Sequence, residues 1–242
     1  PSACCGIVGV KPTYGKVSRY GVFPLGETLD HVGPMTRSVA DAAAILRTIA
    51  GFDPKDPTTR RETVRDYMDT VYNGAGSLRI GVDESYCTKG VDPVVRNAVL
   101  ATVQVFKDLG AEIHEVDVSG INDATPLWYA MCAAEAAAAH AETFPSRADD
   151  YGPTFRAFLE DGVKVTGAHY VKAHIARQSV RRLIEDVLRQ VDILLCPAMA
   201  TPPMEVKYFS PQAVLPADEV PALLAFTGPM DFSGSPTVTL PC

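Results

Sequence analysis

The residues from which chemistry could be assembled are few and widely spaced. His169 and His174 lie five positions apart, which on a helix separates them by about 140° and denies a metal the shared face that an i, i+4 pair offers. Glu135 and His140 have the same spacing, and both pairs are expected at the surface with no metal between them. Cys4 or Cys5 could form a thiolate–imidazolium pair with His31, but the apolar run Ile7-Val8-Gly9-Val10 beside them would raise a thiol pKa, so packing is the expected role. Ser233 and Ser235 sit in Phe232-Ser233-Gly234-Ser235-Pro236 as turn serines, since the sequence has no GxSxG elbow to expose a nucleophile. Lys11, before Pro12-Thr13, could be an activated base, although a lysine ending a strand is expected to serve as an ion-pair partner. Phosphate-cradling GxxxxGK[ST] and GxGxxG loops are absent.

The elements that must position these groups follow from punctuation and period. Gly6, Gly9, Pro12, Gly15, Gly21 and Pro24 interrupt the first stretch every few residues, which predicts turns around short strands. Ser38 to Ala50 predicts a helix, with Ser38 as N-cap, Val39, Ala42, Ala43, Leu46 and Ile49 at helical spacing, and Gly51 as the stop. From Leu78 the pattern changes. Leu78, Ile80 and Val82 alternate as a strand, Asp92-Pro93 opens a helix carrying Val95, Val99, Val103 and Phe106, and a second strand is expected over Ile113 to Val118. Strand, crossover helix and strand at this spacing imply a right-handed parallel βαβ unit. Leu127 to Thr143 is alanine-rich and helical, Val180 to Val191 carries a 3.6-period stripe, Asp192 to Cys196 is a buried strand, Pro197 to about Pro221 a long loop, and Thr237 to Leu240 a last strand.

Bulk properties set outer bounds. The 242 residues are 47% hydrophobic and 21% charged, an ordinary globular balance able to bury a core. A net charge of −7 leaves no surplus to neutralise a phosphate backbone, so nucleic acid is not an expected partner. No apolar run reaches the length of about 20 residues needed to span a bilayer, and there is no signal-peptide pattern, so neither a membrane nor export is expected. Six cysteines without a CxxC pair suggest reduced thiols in a cytoplasmic setting. The residues alone thus give an α/β protein lacking a complete catalytic constellation.

A resemblance adds to this. The run Pro1-Ser2-Ala3-Cys4-Cys5-Gly6-Ile7-Val8-Gly9-Val10-Lys11-Pro12-Thr13-Tyr14-Gly15 closely resembles the second half of the signature of the amidase-signature family, and Leu29-Asp30-His31-Val32-Gly33-Pro34-Met35-Thr36-Arg37-Ser38 continues it in register. Gly51 to Pro57, Asp192 to Pro197 and Phe226 to Pro236 are also similar to family segments. The resemblance implies an α/β fold with a mixed, mostly parallel sheet covered by helices on both faces, incomplete here. On that reading residues 1–242 are part of a single domain: 1–60 the second half of the signature, 78–118 the βαβ unit, 125–191 a helical region, and 192–242 core strands and a loop.

It further implies an amide hydrolase, a serine hydrolase needing no cofactor and no metal, that uses a nucleophilic serine, a cis-serine and a lysine. These would lie upstream of Pro1, so the chain alone is expected to be an inactive fragment, and Lys11 matches the family's structural Lys-Pro-Thr rather than its catalytic lysine. The expected substrate is a small or aryl amide, with walls supplied by Leu29, Asp30, Trp128, Met131, Cys132, Thr227 and Asp231. Trp128 leads this set, as the only tryptophan, on a helix of small residues. The alternatives are the glutaminase subunit of a tRNA-dependent amidotransferase, against which the apolar Ala222-Leu223-Leu224-Ala225 offers no group to hold an ammonium, and a non-catalytic binding module. A half-sheet of this kind would expose strand edges and pair with itself as a homo-oligomer or with a complementary piece.

Overall fold

The computed structural model of the protein describes residues 1–210 and 220–242. The N-terminal turn of helix α1 (Ser2–Cys5) leads into β1 (Val8–Lys11), followed by β2 (Met35–Thr36) and α2 (Val39–Ile49). The βαβ unit contains β3 (Arg79–Val82), α3 (Glu84–Thr88), α4 (Pro93–Asp108) and β4 (Glu112–Glu115). The helical layer is α5 (Thr125–Ala139), α6 (Pro153–Lys164) and α7 (Gly167–Leu188), and the chain returns through β5 (Ile193–Leu194), α8 (Val220–Leu224), α9 (Gly228–Ser233) and β6 (Thr237–Thr239). Among its described residues the long loop expected from Pro197 holds a 3₁₀ turn at Val206–Phe209 and gives way to α8 at Val220, just before its expected end; the stretch 211–219 lies outside the described residues.

Two three-stranded sheets organise the described residues. In the first, β1 is central and antiparallel to both neighbours, with Gly9 opposite Met35 on one side and Thr239 on the other. In the second, β3 is central and parallel to both, with Ile80 opposite Ile113 and Ile193. The central strand of this parallel ladder is legible in full from the sequence, and the ladder runs one residue past β5 at each end, through Asp192 N–H to Arg79 O and Leu195 N–H to Gly81 O. The burial expected of β5 is not met, because it forms an edge of this sheet, with Ile193 exposed and Leu194 half-buried. Ile80 is fully buried and packs with Val82, Cys87 and Val99 from β3, α3 and α4.

Helix ends follow their sequence signals. Ser38 Oγ accepts from Asp41 N–H, Asp92 accepts from Val94 N–H with Pro93 at the first helical position, and Thr166 accepts from His169 N–H. These side chains satisfy donors that a helix start leaves open.

The largest core cluster lies where α5, α7 and α9 meet, around Leu29, Val118, Met131, Val180, Ile184 and Phe232. The alanine run of α5 has a packing purpose beyond helix propensity. Ala133 and Ala136 are fully buried, and a Cβ at Gly162 of α6 would stand 1.9 Å from the Ala133 carbonyl oxygen, so small residues on both helices let the backbones approach. No helix among the described residues is long and apolar enough to cross a membrane.

Candidate functional site

β1 ends at Lys11, and Pro12 stops the strand there. The loop of residues 26–34 runs back along it, with Val10 N–H bonded to Pro34 O at 3.0 Å. Gly33 is required for this approach, because a Cβ there would lie 1.9 Å from Val10 O. Within the loop, Asp30 folds the chain by accepting from Leu25 N–H at 2.8 Å and Gly26 N–H at 3.1 Å. Leu29 plugs into the core at 2% exposure, and His31, two residues on, is turned inward with its side chain 4% exposed.

Around His31 a line of polar groups crosses from the first sheet to the helical layer. Lys11 Nζ is 3.4 Å from His31 Nε2 and donates to Ser235 O. His31 Nδ1 stands 3.2 Å from Asp231 Oδ1, within ion-pair range but off the line of a hydrogen bond, so Nδ1 has no aligned partner among the described residues. The other carboxylate oxygen, Asp231 Oδ2, accepts from Trp128 Nε1 at 2.9 Å. Tyr14 closes the far side, its ring edge-on to His31 at 5.5 Å. When Lys11 is charged it donates to Nε2, which leaves the imidazole proton on Nδ1, facing Asp231. Burial lowers the Lys11 pKa to about 8, against the opposing pull of Asp231.

The seven residues expected to form walls fall into distinct positions. Trp128 and Asp231 bond each other, while Leu29, Met131 and Cys132 pack together in the core cluster behind them. Burial, with Asp231 nearby, pushes the Cys132 thiol up to about 12, leaving it protonated. Asp30 braces the loop. Thr227 is exposed, its hydroxyl donating to Leu223 O at 3.3 Å and its carbonyl accepting from Asp231 N–H.

Several expectations are corrected. Glu135 is not at the surface but 8% exposed, because its carboxylate accepts from Thr28 N–H at 2.8 Å, Thr28 Oγ1 at 2.7 Å and the Tyr170 hydroxyl at 2.6 Å. Cys4 and Cys5 are not packed, since only Ser2 of the single turn α1 is buried, and His31 is engaged with Lys11 and Asp231 instead. Lys11 meets a histidine and a carbonyl rather than a direct ion-pair partner. Ser233 and Ser235 do serve the turn, Ser233 Oγ donating to Met230 O and accepting from Ser235 N–H. Among the described residues no group of three His, Cys, Asp or Glu side chains could hold a metal ion.

Arg177 is invisible to sequence reasoning. Its guanidinium donates to Thr28 Oγ1 at 3.0 Å, Thr28 O at 2.8 Å and Phe232 O at 2.7 Å. Two of these acceptors are backbone carbonyls, which no side-chain pattern announces. The 3.6-residue period offers a partial signal: Trp128 and Glu135 are seven apart on α5, and Tyr170 and Arg177 are seven apart on α7, so each pair shares a helix face.

The family model for amidases matches residues 1–242. The chain belongs to the amidase family. An amidase of Pseudomonas putida is 36% identical over all of this chain and 53% of its own length. The A component of the glutamyl-tRNA(Gln) amidotransferase of Chloroflexus aurantiacus is 35% identical over all of this chain and 54% of its own. A solved structure from a vestigial protein complex, described for the evolutionary origins of an s-triazine catabolic enzyme, superposes with a TM-score of 0.84 at 27% identity, covering 98% of this chain and 51% of that one. The chain therefore spans about half the length of the curated relatives it matches, and its α/β architecture is that of amidase-family enzymes.

Proposed function

We propose that this amidase-family chain is one portion of a serine-type amide hydrolase acting on small or aryl amides, and that it supplies substrate-facing wall rather than nucleophile. The nucleophilic serine, the second serine and the proton-relaying lysine are assigned to the part of the relatives' length that this chain does not span. The carrying observation is the Trp128–Asp231 pair. An indole held at its N–H by a carboxylate, itself backed by His31, is a pre-oriented flat apolar surface suited to an aryl or acyl group.

Within this reading Leu29, Met131 and Cys132 back the wall, while Asp30 and Thr227 shape its loops. Lys11 and His31 stay behind the wall, His31 beside the Asp231 carboxylate and Lys11 beside His31. The amidotransferase relative at 35% identity keeps glutamine as the competing substrate. Ala222 to Ala225 is apolar, but the preceding segment carries Glu205 with Asp218 and Glu219, the last two outside the described residues, and Glu205 is paired to Lys207 at 2.9 Å. Hydrolysis of aryl anilides, short aliphatic amides and glutamine by the full-length protein decides between them. Aryl or aliphatic amides are expected to be cleaved with the higher kcat/KM, and preferential glutamine hydrolysis overturns the proposal.

A further inference from the structure

Thr28 occupies a position that chemistry constrains tightly. A guanidinium only donates hydrogen bonds and a carboxylate only accepts them, whereas a hydroxyl does both. Thr28 Oγ1 donates to Glu135 Oε1 at 2.7 Å and accepts from Arg177 Nη1 at 3.0 Å. Its backbone repeats the arrangement, N–H to Glu135 Oε2 at 2.8 Å and carbonyl from Arg177 Nη2 at 2.8 Å. Every polar atom of this residue is thus bonded to the same buried acid or the same arginine. Arg177 uses its third direction, Nε, on Phe232 O at 2.7 Å, one residue from Asp231. Thr28 itself is three residues from His31.

We propose that the Thr28 hydroxyl couples Glu135 and Arg177 into a clamp that sets the His31 loop against α9, making Glu135 and Arg177 positioning residues for the Trp128–Asp231 wall. The groups that meet at Asp231 come from separate elements: His31 from a loop, and Asp231 from the six-residue helix α9. One guanidinium spanning both fixes their separation, and Glu135, two turns along α5 from Trp128, ties the same loop to the helix bearing the indole. The kinetic part of this proposal rests on Trp128 facing substrate; the structural part does not.

The test uses the full-length protein with Thr28→Val, which keeps the shape and removes the hydroxyl, Thr28→Ser, which keeps the hydroxyl, and Arg177→Lys, which replaces the planar three-nitrogen fork with a single ammonium. Trp128 emission and its acrylamide quenching are isolated in each by difference from the same protein carrying Trp128→Phe, with kcat and KM measured alongside. Thr28→Ser is expected to match the parent. Thr28→Val and Arg177→Lys are expected to raise Trp128 quenching severalfold and KM about tenfold while kcat changes less, the cost of a misplaced binding surface. Unchanged Trp128 quenching in folded Thr28→Val or Arg177→Lys overturns the clamp. Raised quenching with an unchanged KM upholds the clamp and removes Trp128 from the substrate wall.

Discussion

Asp231 divides its two oxygens between Trp128, at 2.9 Å from Nε1, and His31, at 3.2 Å from Nδ1. One carboxylate thereby orients an aromatic surface and faces a buried imidazole. Replacing it with leucine leaves the indole N–H without its acceptor and removes the carboxylate facing His31, and an unpaired buried donor costs about 1–3 kcal/mol. Asp231→Leu is accordingly expected to lower kcat/KM for aryl amides by about tenfold or more and to reduce stability to urea. Asp231→Asn, which can still accept from the indole, should lose less in both measurements.

Lys11 gives the fold a measurable pH response. Its pKa falls from 10.5 to about 8 on burial, so between those values the unfolded chain holds a proton that the folded one has released. Stability contributed through Lys11 should therefore rise as pH climbs from about 8 toward 10.5, by up to about 3 kcal/mol in total. Below about pH 8 the burial of charge is a constant cost. Urea unfolding of the wild type and Lys11→Met from about pH 7 to about pH 10 should show the wild type gaining on the variant; parallel curves would place no titration at Lys11.

Gly162 packs α6 onto α5 through absent atoms. A methyl there meets Ala133 O at 1.9 Å and Ala133 C at 2.6 Å, backbone atoms that can yield only by moving the helix. Gly162→Ala should destabilise by about 1–3 kcal/mol or more despite its better helix propensity. Gly167, where a methyl would meet nothing within 4 Å, is the internal comparison, and Gly167→Ala should be neutral to slightly stabilising in the same thermal melts.

The elements are more legible in the sequence than the site. Caps at Ser38 and Asp92 and the period of α4 are local signals, and each stands where the sequence places it. Trp128 and Asp231 can be nominated from sequence, yet their direct bond cannot, because it joins residues 103 positions apart. Glu135 reads as a surface group since charge at a helical position normally means solvent. Its burial depends on Thr28 and Tyr170, partners that only the packed structure supplies. Lys11 likewise gains its lowered pKa from burial, which a strand-ending position does not reveal.

Ser38 offers a local check on α2 that is independent of the site. Its hydroxyl accepts from Asp41 N–H at 3.1 Å and donates to the Asp41 carboxylate at 2.7 Å. Ser38→Ala should cost about 1 kcal/mol, as for other N-cap deletions, while leaving Trp128 emission unchanged.

The central position of β1 has a consequence for how the polypeptide is made. Its edge partner β6 pairs Thr239 with Gly9, so nearly the whole intervening chain must leave the ribosome before that ladder can close. The parallel unit of β3, α4 and β4 needs only a short local crossover and can consolidate earlier. Until β6 arrives, one edge of β1 presents unpaired backbone N–H and C=O groups, a surface for chaperones to occupy or for neighbouring nascent chains to join.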